Sequence, residues 1–415
     1  MPLSVVDETA PLDCVVVGAG PAGLAMSEAL TARGVRHQVL ERGEVGNSWR
    51  TQRWAGLLLN SPGWLNTSLH TEDEPDRYLP VSEMVERLDA IAATCPVRTR
   101  TPVLHLTRSP AGFAMLTPSG LVLARSVVVA SGDANVPTVP AMAARFPSRI
   151  RQLHSAQYRS PADLAEGGVL VVGSGQSGAQ IAEELRAAGR PVVLATSPAG
   201  RVPLRRRGAD AVAVLVAAGF FAARTETVPP VARTGPQPLL APGHDLSLGR
   251  LAVAGVALRG RLVGVTGETV HFDGSLPANV AAGEALADQL YAIVDEWLAR
   301  KGPLPPVPAE EREPSVTGPG DGSLDLSSSG IGTVLWCTGY GGDFSWMDPG
   351  LLDEQRGPRR QGFRAVGAAG LYYIGLRWLT MRGSGNFLGF PTDAAAIADA
   401  VITDLANQSR PRLAG

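Results

Sequence analysis

The sequence predicts an α/β protein in which one doubly wound fold is nested inside another. Two observations carry this: a strand, a glycine turn and a helix follow one another twice along the 415 residues, and two more short apolar strands and a closing helix follow the second copy. In the first copy, Val15–Val17 is the strand, Gly18–Gly23 the turn, Leu24–Arg33 the helix, and His37–Leu40 the next strand, ending at Glu41. Val103–Leu123 alternates around two Pro/Gly breaks, which predicts a meander leading into a buried strand at Val127–Ala130. The second copy runs through strand Val169–Val172, turn Gly173–Gly178, helix Ala179–Ala188 and strand Pro191–Ala195.

Thr225–Asp245 and Gly302–Gly330 are rich in proline, glycine and polar residues and are expected to be surface loops. Thr333–Cys337 and Leu371–Ile374 predict two more strands, and Asp393–Leu405 an amphipathic helix that returns to the first fold. The expected boundaries are 1–160 and 330–415 for the outer domain and 161–329 for the inserted one.

Composition narrows the function. A net charge of −2, with no basic window interleaved with aromatics, disfavours nucleic acid as a partner. Three cysteines, Cys14, Cys95 and Cys337, stand far apart, so no disulfide framework, dithiol centre or zinc cluster is signalled, and a reducing, cytoplasmic setting fits. Acidic Asp7 and Glu8 stand where an export signal would carry positive charge. The longest apolar run, Ala211–Ala223, falls short of the roughly 20 residues that cross a bilayer, so no transmembrane segment is expected.

Gly18, Gly20 and Gly23 fit GxGxxG, a spacing that permits a tight turn, close approach of backbone to pyrophosphate and helix packing on the sheet. Glu41, at the end of the next strand, stands where a carboxylate accepts from an adenosine ribose, as suits FAD or NAD. Gly173, Gly175 and Gly178 repeat the pattern, but Thr196 and Ser197 replace the acid. Arg201 and the run Arg205, Arg206, Arg207 follow, and arginines of this kind pair with the extra phosphate of NADPH; the plainer reading is a solvated charged face. No Ser/His/Asp order, metal spacing or carboxylate pair stands out.

With GAGPAG, Glu41, GNSWR (Gly46–Arg50), NSP (Asn60–Pro62), HSAQYR (His154–Arg159), GSGQSG and CTGY (Cys337–Tyr340) in this order, the chain resembles the flavin-containing monooxygenases, and most closely their bacterial CzcO-like branch. That branch shares the Trp-Arg pair, a Gly243–Leu246-like segment and a GLYYIGL-like tail. The resemblance implies two nested Rossmann-like dinucleotide-binding domains, an FAD domain with an inserted NADPH domain, and cofactor contacts from Trp49, Arg50, Gly339 and Tyr340. It also implies reduction of FAD by NADPH, capture of dioxygen as a flavin hydroperoxide, and transfer of one oxygen atom to a small-molecule substrate. Asn60 takes the position of an amide beside the flavin, or is simply a turn residue before Ser61 and Pro62. The linker signature departs from the family, since Phe146 is followed by Pro147 and Ser148 rather than glycine; His154, Ser155 and Tyr158 still match and are candidates for domain orientation. Tyr158 and Arg159, where Baeyer-Villiger enzymes carry Trp-Pro, favour N- or S-oxygenation. An oxidase or dehydrogenase without oxygen transfer, or a flavin-binding protein without turnover, are the alternatives.

The run Ala211–Ala223 is apolar on every face. It is expected to fill a core, lie on a membrane surface or line a pocket, with Val214, Leu215, Phe220 and Phe221 as candidate walls of a substrate channel.

Overall fold

The computed structural model describes residues 10–233, 238–316 and 320–408; the N-terminal acids Asp7 and Glu8 lie outside the described residues. The first sheet is built on the strand Leu12–Val17, whose last four side chains are buried. His37–Leu40 pairs with it in parallel on one side and Gly120–Val129 on the other. Val97–Arg98 extends the first side and Leu371–Tyr373 the second, also in parallel. A strand that is apolar at consecutive positions must be covered on both faces, and it is. The helices Pro21–Thr31 and Phe390–Gln408 pack together over one face, with Met26, Leu30, Ile397 and Val401 in the shared core. The meander His105–Ser109, Gly112–Thr117, Gly120–Val129 covers the other, through Leu106, Phe113 and Met115.

The second sheet is parallel throughout, in the order Ala257–Arg259, Val192–Ala195, Gly168–Val172, Ile331–Trp336, Arg151–His154. This moves the expected domain boundaries. The expected boundaries place Arg151–His154 and Ile331–Trp336 in the outer fold, yet both are strands of the inserted sheet, and Ile331–Trp336 is near its centre. An apolar run shows that a strand is buried; it carries no information about which sheet receives it. The two passages between the folds then run side by side, Val136–Pro137 pairing antiparallel with Tyr340–Gly341.

The expected loops are partly structured. Gly302–Gly330 contains a short turn at Ala309–Glu311 and the strand Gly322–Asp325, which completes a three-stranded antiparallel sheet with Thr269–Phe272 and Leu262–Thr266; 317–319 lie outside the described residues. In Thr225–Asp245, Pro238–Leu239 pairs with Gly200–Arg201, and 234–237 lie outside the description. A helix that the sequence did not signal, Leu276–Ala299, runs behind the arginine-rich segment.

Candidate functional site

Both glycine turns divide the same three steric tasks among their glycines. Gly18 has φ +113°, and a Cβ there would meet the Ala130 carbonyl oxygen at 2.6 Å; Gly173 has φ +101°, with the Cys337 carbonyl oxygen at 2.5 Å. Gly23 and Gly178 let the helix close on the turn, since an added Cβ would stand 1.9 and 1.8 Å from the Gly18 and Gly173 carbonyl oxygens. Gly20 and Gly175 are different. A Cβ at either would meet nothing within 4 Å, so each exposes bare backbone at the N-terminus of its helix, Pro21–Thr31 or Gln176–Ala187. That opening, with unpaired helix N–H groups behind it, fits a pyrophosphate.

Glu41 is buried and fixed from two sides, its carboxylate oxygens accepting from the Ala19 and Gly43 backbone N–H groups at 2.8 and 2.9 Å. It borders a cavity of about 730 Å³ that starts at Gly18, Gly20 and Pro21, passes Trp49, Arg53 and Asn60, and reaches Leu204, Val212, Phe221 and Leu240 of the inserted fold. Trp49 stands with its ring 5.8 Å from that of Phe387. Asn60 and Ser61 line the same space, beside Trp64 and Tyr78. Tyr78 is held above the usual phenol range by burial, and it hydrogen-bonds to the Gly243 backbone.

The structure does not bring every expected residue here. Arg50 turns outward, its Nε donating to the Val45 carbonyl and its terminal nitrogen pairing with exposed Asp89; Arg53, three residues on, takes the place in the cavity wall. The arginine cluster is likewise corrected. Arg201 is buried and donates to both oxygens of Glu284, while Arg206 and Arg207 both pair with Asp295. Glu284 and Asp295 both belong to the helix Leu276–Ala299, so these cations are neutralised within the fold rather than held for a phosphate. Arg205 stays exposed, bonded to the Gly208 carbonyl. At the strand end where the second ribose would lie, Ser197 donates its N–H to Ser174 Oγ, and Thr196 donates to the carbonyl of Arg259. Arg259 ends the neighbouring strand and bonds only to its neighbour's carbonyl at 3.0 Å; among the described residues no acid pairs with it. Sequence reasoning missed it because strand neighbours are distant in sequence.

His154 Nε2 lies 3.0 Å from the Gly339 carbonyl and Nδ1 accepts from the Ala156 N–H, an arrangement that fixes one neutral tautomer. Burial lowers its pKa, the Gly339 bond opposing in part. Ser155 Oγ meets the Tyr340 hydroxyl at 3.2 Å, and Tyr158 donates to Glu184 at 2.7 Å, a carboxyl raised by burial. His154 and Ser155 thus join the two passages between the folds, whereas Tyr158 ties to the helix Gln176–Ala187 of the inserted fold; none of the three borders the cavity, nor do Gly339 and Tyr340. Of the apolar run, Phe221 and Val212 reach the cavity; Leu215 is core, and Val214 and Phe220 pack around that core. Of the three cysteines, Cys14 and Cys337 are buried and Cys95 is half-buried; burial lifts the Cys14 and Cys337 thiols, the latter to about 12. Among the described residues no cluster fits a metal ion, and no helix is long and apolar enough to cross a membrane.

Comparison with known proteins agrees with this geometry. A family model described as pyridine nucleotide-disulphide oxidoreductase matches residues 15–207. An oxidoreductase described as CzcO-like, from Geobacillus kaustophilus, is 27% identical over 398 residues, covering 94% of this chain and 98% of its own. An indole-3-pyruvate monooxygenase from Oryza sativa is 32% identical over 186 residues, 41% of this chain and 44% of the relative. In fold, a flavin monooxygenase variant from Stenotrophomonas maltophilia superposes with a TM-score of 0.64 at 20% identity, covering 97% of this chain and all of its own. OTEMO, in a complex with FAD and NADP, gives 0.56 at 15% identity, covering 96% and 87%. Along almost its whole length the chain is thus similar to oxidoreductases described as CzcO-like, and it shares the fold of flavin monooxygenases of known structure.

Proposed function

We propose that the chain is an NADPH-dependent flavoprotein monooxygenase that transfers one oxygen atom from dioxygen to a small lipophilic substrate. FAD is the cofactor of the first turn and NADPH that of the second. The observation that carries the reading is the continuity of the cavity. One space joins the glycine turn and Glu41 to a chamber walled by Trp64, Leu65, Val212, Phe221 and Leu240, so a dinucleotide groove opens onto an apolar compartment where a substrate can meet the flavin.

When bound, FAD supplies the hydride acceptance and oxygen activation, chemistry that no protein side chain provides. The chain's residues do the rest. Gly20 and the helix N-terminus seat the pyrophosphate, Glu41 accepts from the ribose, and the apolar wall keeps water from the reacting centre, which limits side reactions. Arg259 beside Thr196 and Ser197 is the phosphate partner that selects NADPH. Asn60 offers a side-chain amide to the cavity, placed to hydrogen-bond a ligand there. N- or S-oxygenation is favoured over ketone insertion on the Tyr158–Arg159 pair. The unpaired thiols support a cytoplasmic location.

Consumption of NADPH with labelled dioxygen, read by mass spectrometry of the product, tests the reading: one labelled oxygen atom per NADPH is expected. Stoichiometric hydrogen peroxide with every substrate class would make it an oxidase. Asn60→Ala is expected to retain FAD yet release a larger share of the reducing equivalents as hydrogen peroxide; an unchanged share returns Asn60 to the status of a turn residue.

A further inference from the structure

We propose that Arg53 is an oxyanion-recognition residue of the cavity, receiving a phosphate of the nicotinamide dinucleotide or a carboxylate of the substrate where the two folds meet. The inference rests on the cavity being the cofactor and substrate chamber, and deepens that reading by naming the charge a ligand brings.

Arg53 stands in the cavity wall between Trp49 and Asn60. Its guanidinium lies 5.0 Å from the centroid of Trp49, on the outer fold, and 5.6 Å from that of Tyr340, on the returning passage. The backbone around it is tied down: Gln52 Nε2 donates to the Asn135 carbonyl at 2.9 Å, and the next residue, Trp54, is buried with its ring 6.3 Å from Tyr158. Two aromatic faces therefore hold a planar cation at the seam of two domains.

What that cation lacks is an acid. Arg201, Arg206 and Arg207 each pair with a carboxylate, whereas among the described residues none pairs with Arg53, whose own bonds reach only the Gln52 carbonyl and the Tyr340 hydroxyl. Burial accordingly draws its pKa below the ordinary arginine value. The carboxylates that share the cavity are mostly engaged elsewhere: Glu41 holds Ala19 and Gly43, Asp210 caps Ala213, and Asp343 holds Ser345. A guanidinium has five donors in a fixed fork, so Arg53 keeps donors for a ligand. A half-buried cation without a counter-charge is costly, and an incoming oxyanion removes that cost with charge-assisted hydrogen bonds. Cation–π contact alone would leave the charge uncompensated.

The test is calorimetric binding to the FAD-loaded wild type, Arg53→Gln and Arg53→Lys, with NADP+ as one probe and 3-phenylpropanoate beside its neutral amide as the other. Arg53→Gln is expected to weaken one anion about ten- to a hundredfold, with Arg53→Lys recovering part of the loss. A loss confined to NADP+ assigns the oxyanion to the dinucleotide; a loss confined to the carboxylate, the amide being unaffected, assigns it to the substrate. Unchanged affinity for NADP+ together with equal treatment of acid and amide, accompanied by a lower Tm, overturns the proposal and leaves Arg53 as an interdomain contact. Should Arg53→Gln fail to hold flavin, Arg53→Lys alone, which keeps the charge but not the fork, must still bind one anion severalfold more weakly. A wild type that binds neither FAD nor NADP+ would instead sink the proposed function.

Discussion

At the scale of single residues, the glycines of one turn make opposite predictions. Gly20→Val places its side chain where the structure has open space, so the protein is expected to fold but to lose flavin absorbance after purification. Gly23→Ala instead drives a methyl group into the Gly18 carbonyl, and overpacking against backbone costs about 1–3 kcal/mol or more, visible as a lower Tm before any ligand is added. The same contrast applies to the arginines. Arg259→Ala is expected to lower the preference for NADPH over NADH about ten- to a hundredfold in kcat/KM, the scale of a lost charge-assisted phosphate bond. Arg201→Ala leaves Glu284 without its buried partner and should lower Tm with cofactor preference unchanged. Equal use of the two dinucleotides by the wild type would refute the NADPH assignment. These residues also show where sequence reading stops. The glycines and Glu41 were legible because their chemistry depends on spacing within one βαβ unit. The engagement of Arg201 and Arg206 was not, because Glu284 and Asp295 lie on a helix some eighty to ninety positions away.

Among the elements, the apolar run shows how local signals set an end point that hydropathy cannot. Asp210 caps the helix Ala211–Ala217 by accepting from the Ala213 N–H at 2.8 Å. Gly219, at φ +78°, stops it: its N–H bonds to the Val216 carbonyl and that of Phe220 to the Leu215 carbonyl, a paired closure that needs a left-handed residue. The turn swings Phe221 away from the helix and into the cavity wall. Leu215→Ala is therefore expected to cost about 2–5 kcal/mol of stability with unchanged KM, whereas Phe221→Ala should raise KM or peroxide release with a smaller change in Tm. Equal effects of the two on stability, with kinetics untouched, would make the whole run packing. Strands and helices of the two βαβ units were legible because their periodicity is local. Leu276–Ala299 was not: its alanines and apolar residues are spread around the helix, and its caps are weak, without a side-chain bond at Ser275.

For the whole molecule, the seam between the folds has a second anchor. Thr225 donates its N–H to the Thr380 carbonyl and Gly383 donates to that of Phe221, so the segment after the apolar helix is stitched to the C-terminal tail. Buried Asp393 organises that tail, accepting from Thr380 and from Ser384 Oγ. Burial raises its pKa from 3.8 to about 6, those two bonds opposing. The folded state thus prefers the protonated carboxyl. Its contribution is fully present below pH 4 and is lost as pH rises through about 6, a change on the order of 2–3 kcal/mol. Asp393→Asn should flatten the dependence of Tm on pH between 4 and 7; an unaltered slope would place the titrating group elsewhere.

The nesting of the sheets also bears on how the chain is made. On the ribosome, the inserted fold has all five strands of its sheet once Trp336 has emerged. The outer fold at that moment still lacks Leu371–Tyr373, which pairs with Gly120–Val129, and the helix that covers Met26 and Leu30. Domains fold as units during synthesis at about 5–20 residues per second, so the first sheet, begun earliest, waits on the order of tens of seconds with one edge and one face open. The part of the protein that starts first is completed last, and its nascent apolar surface is the point at which a chaperone, or an aggregate, would meet it.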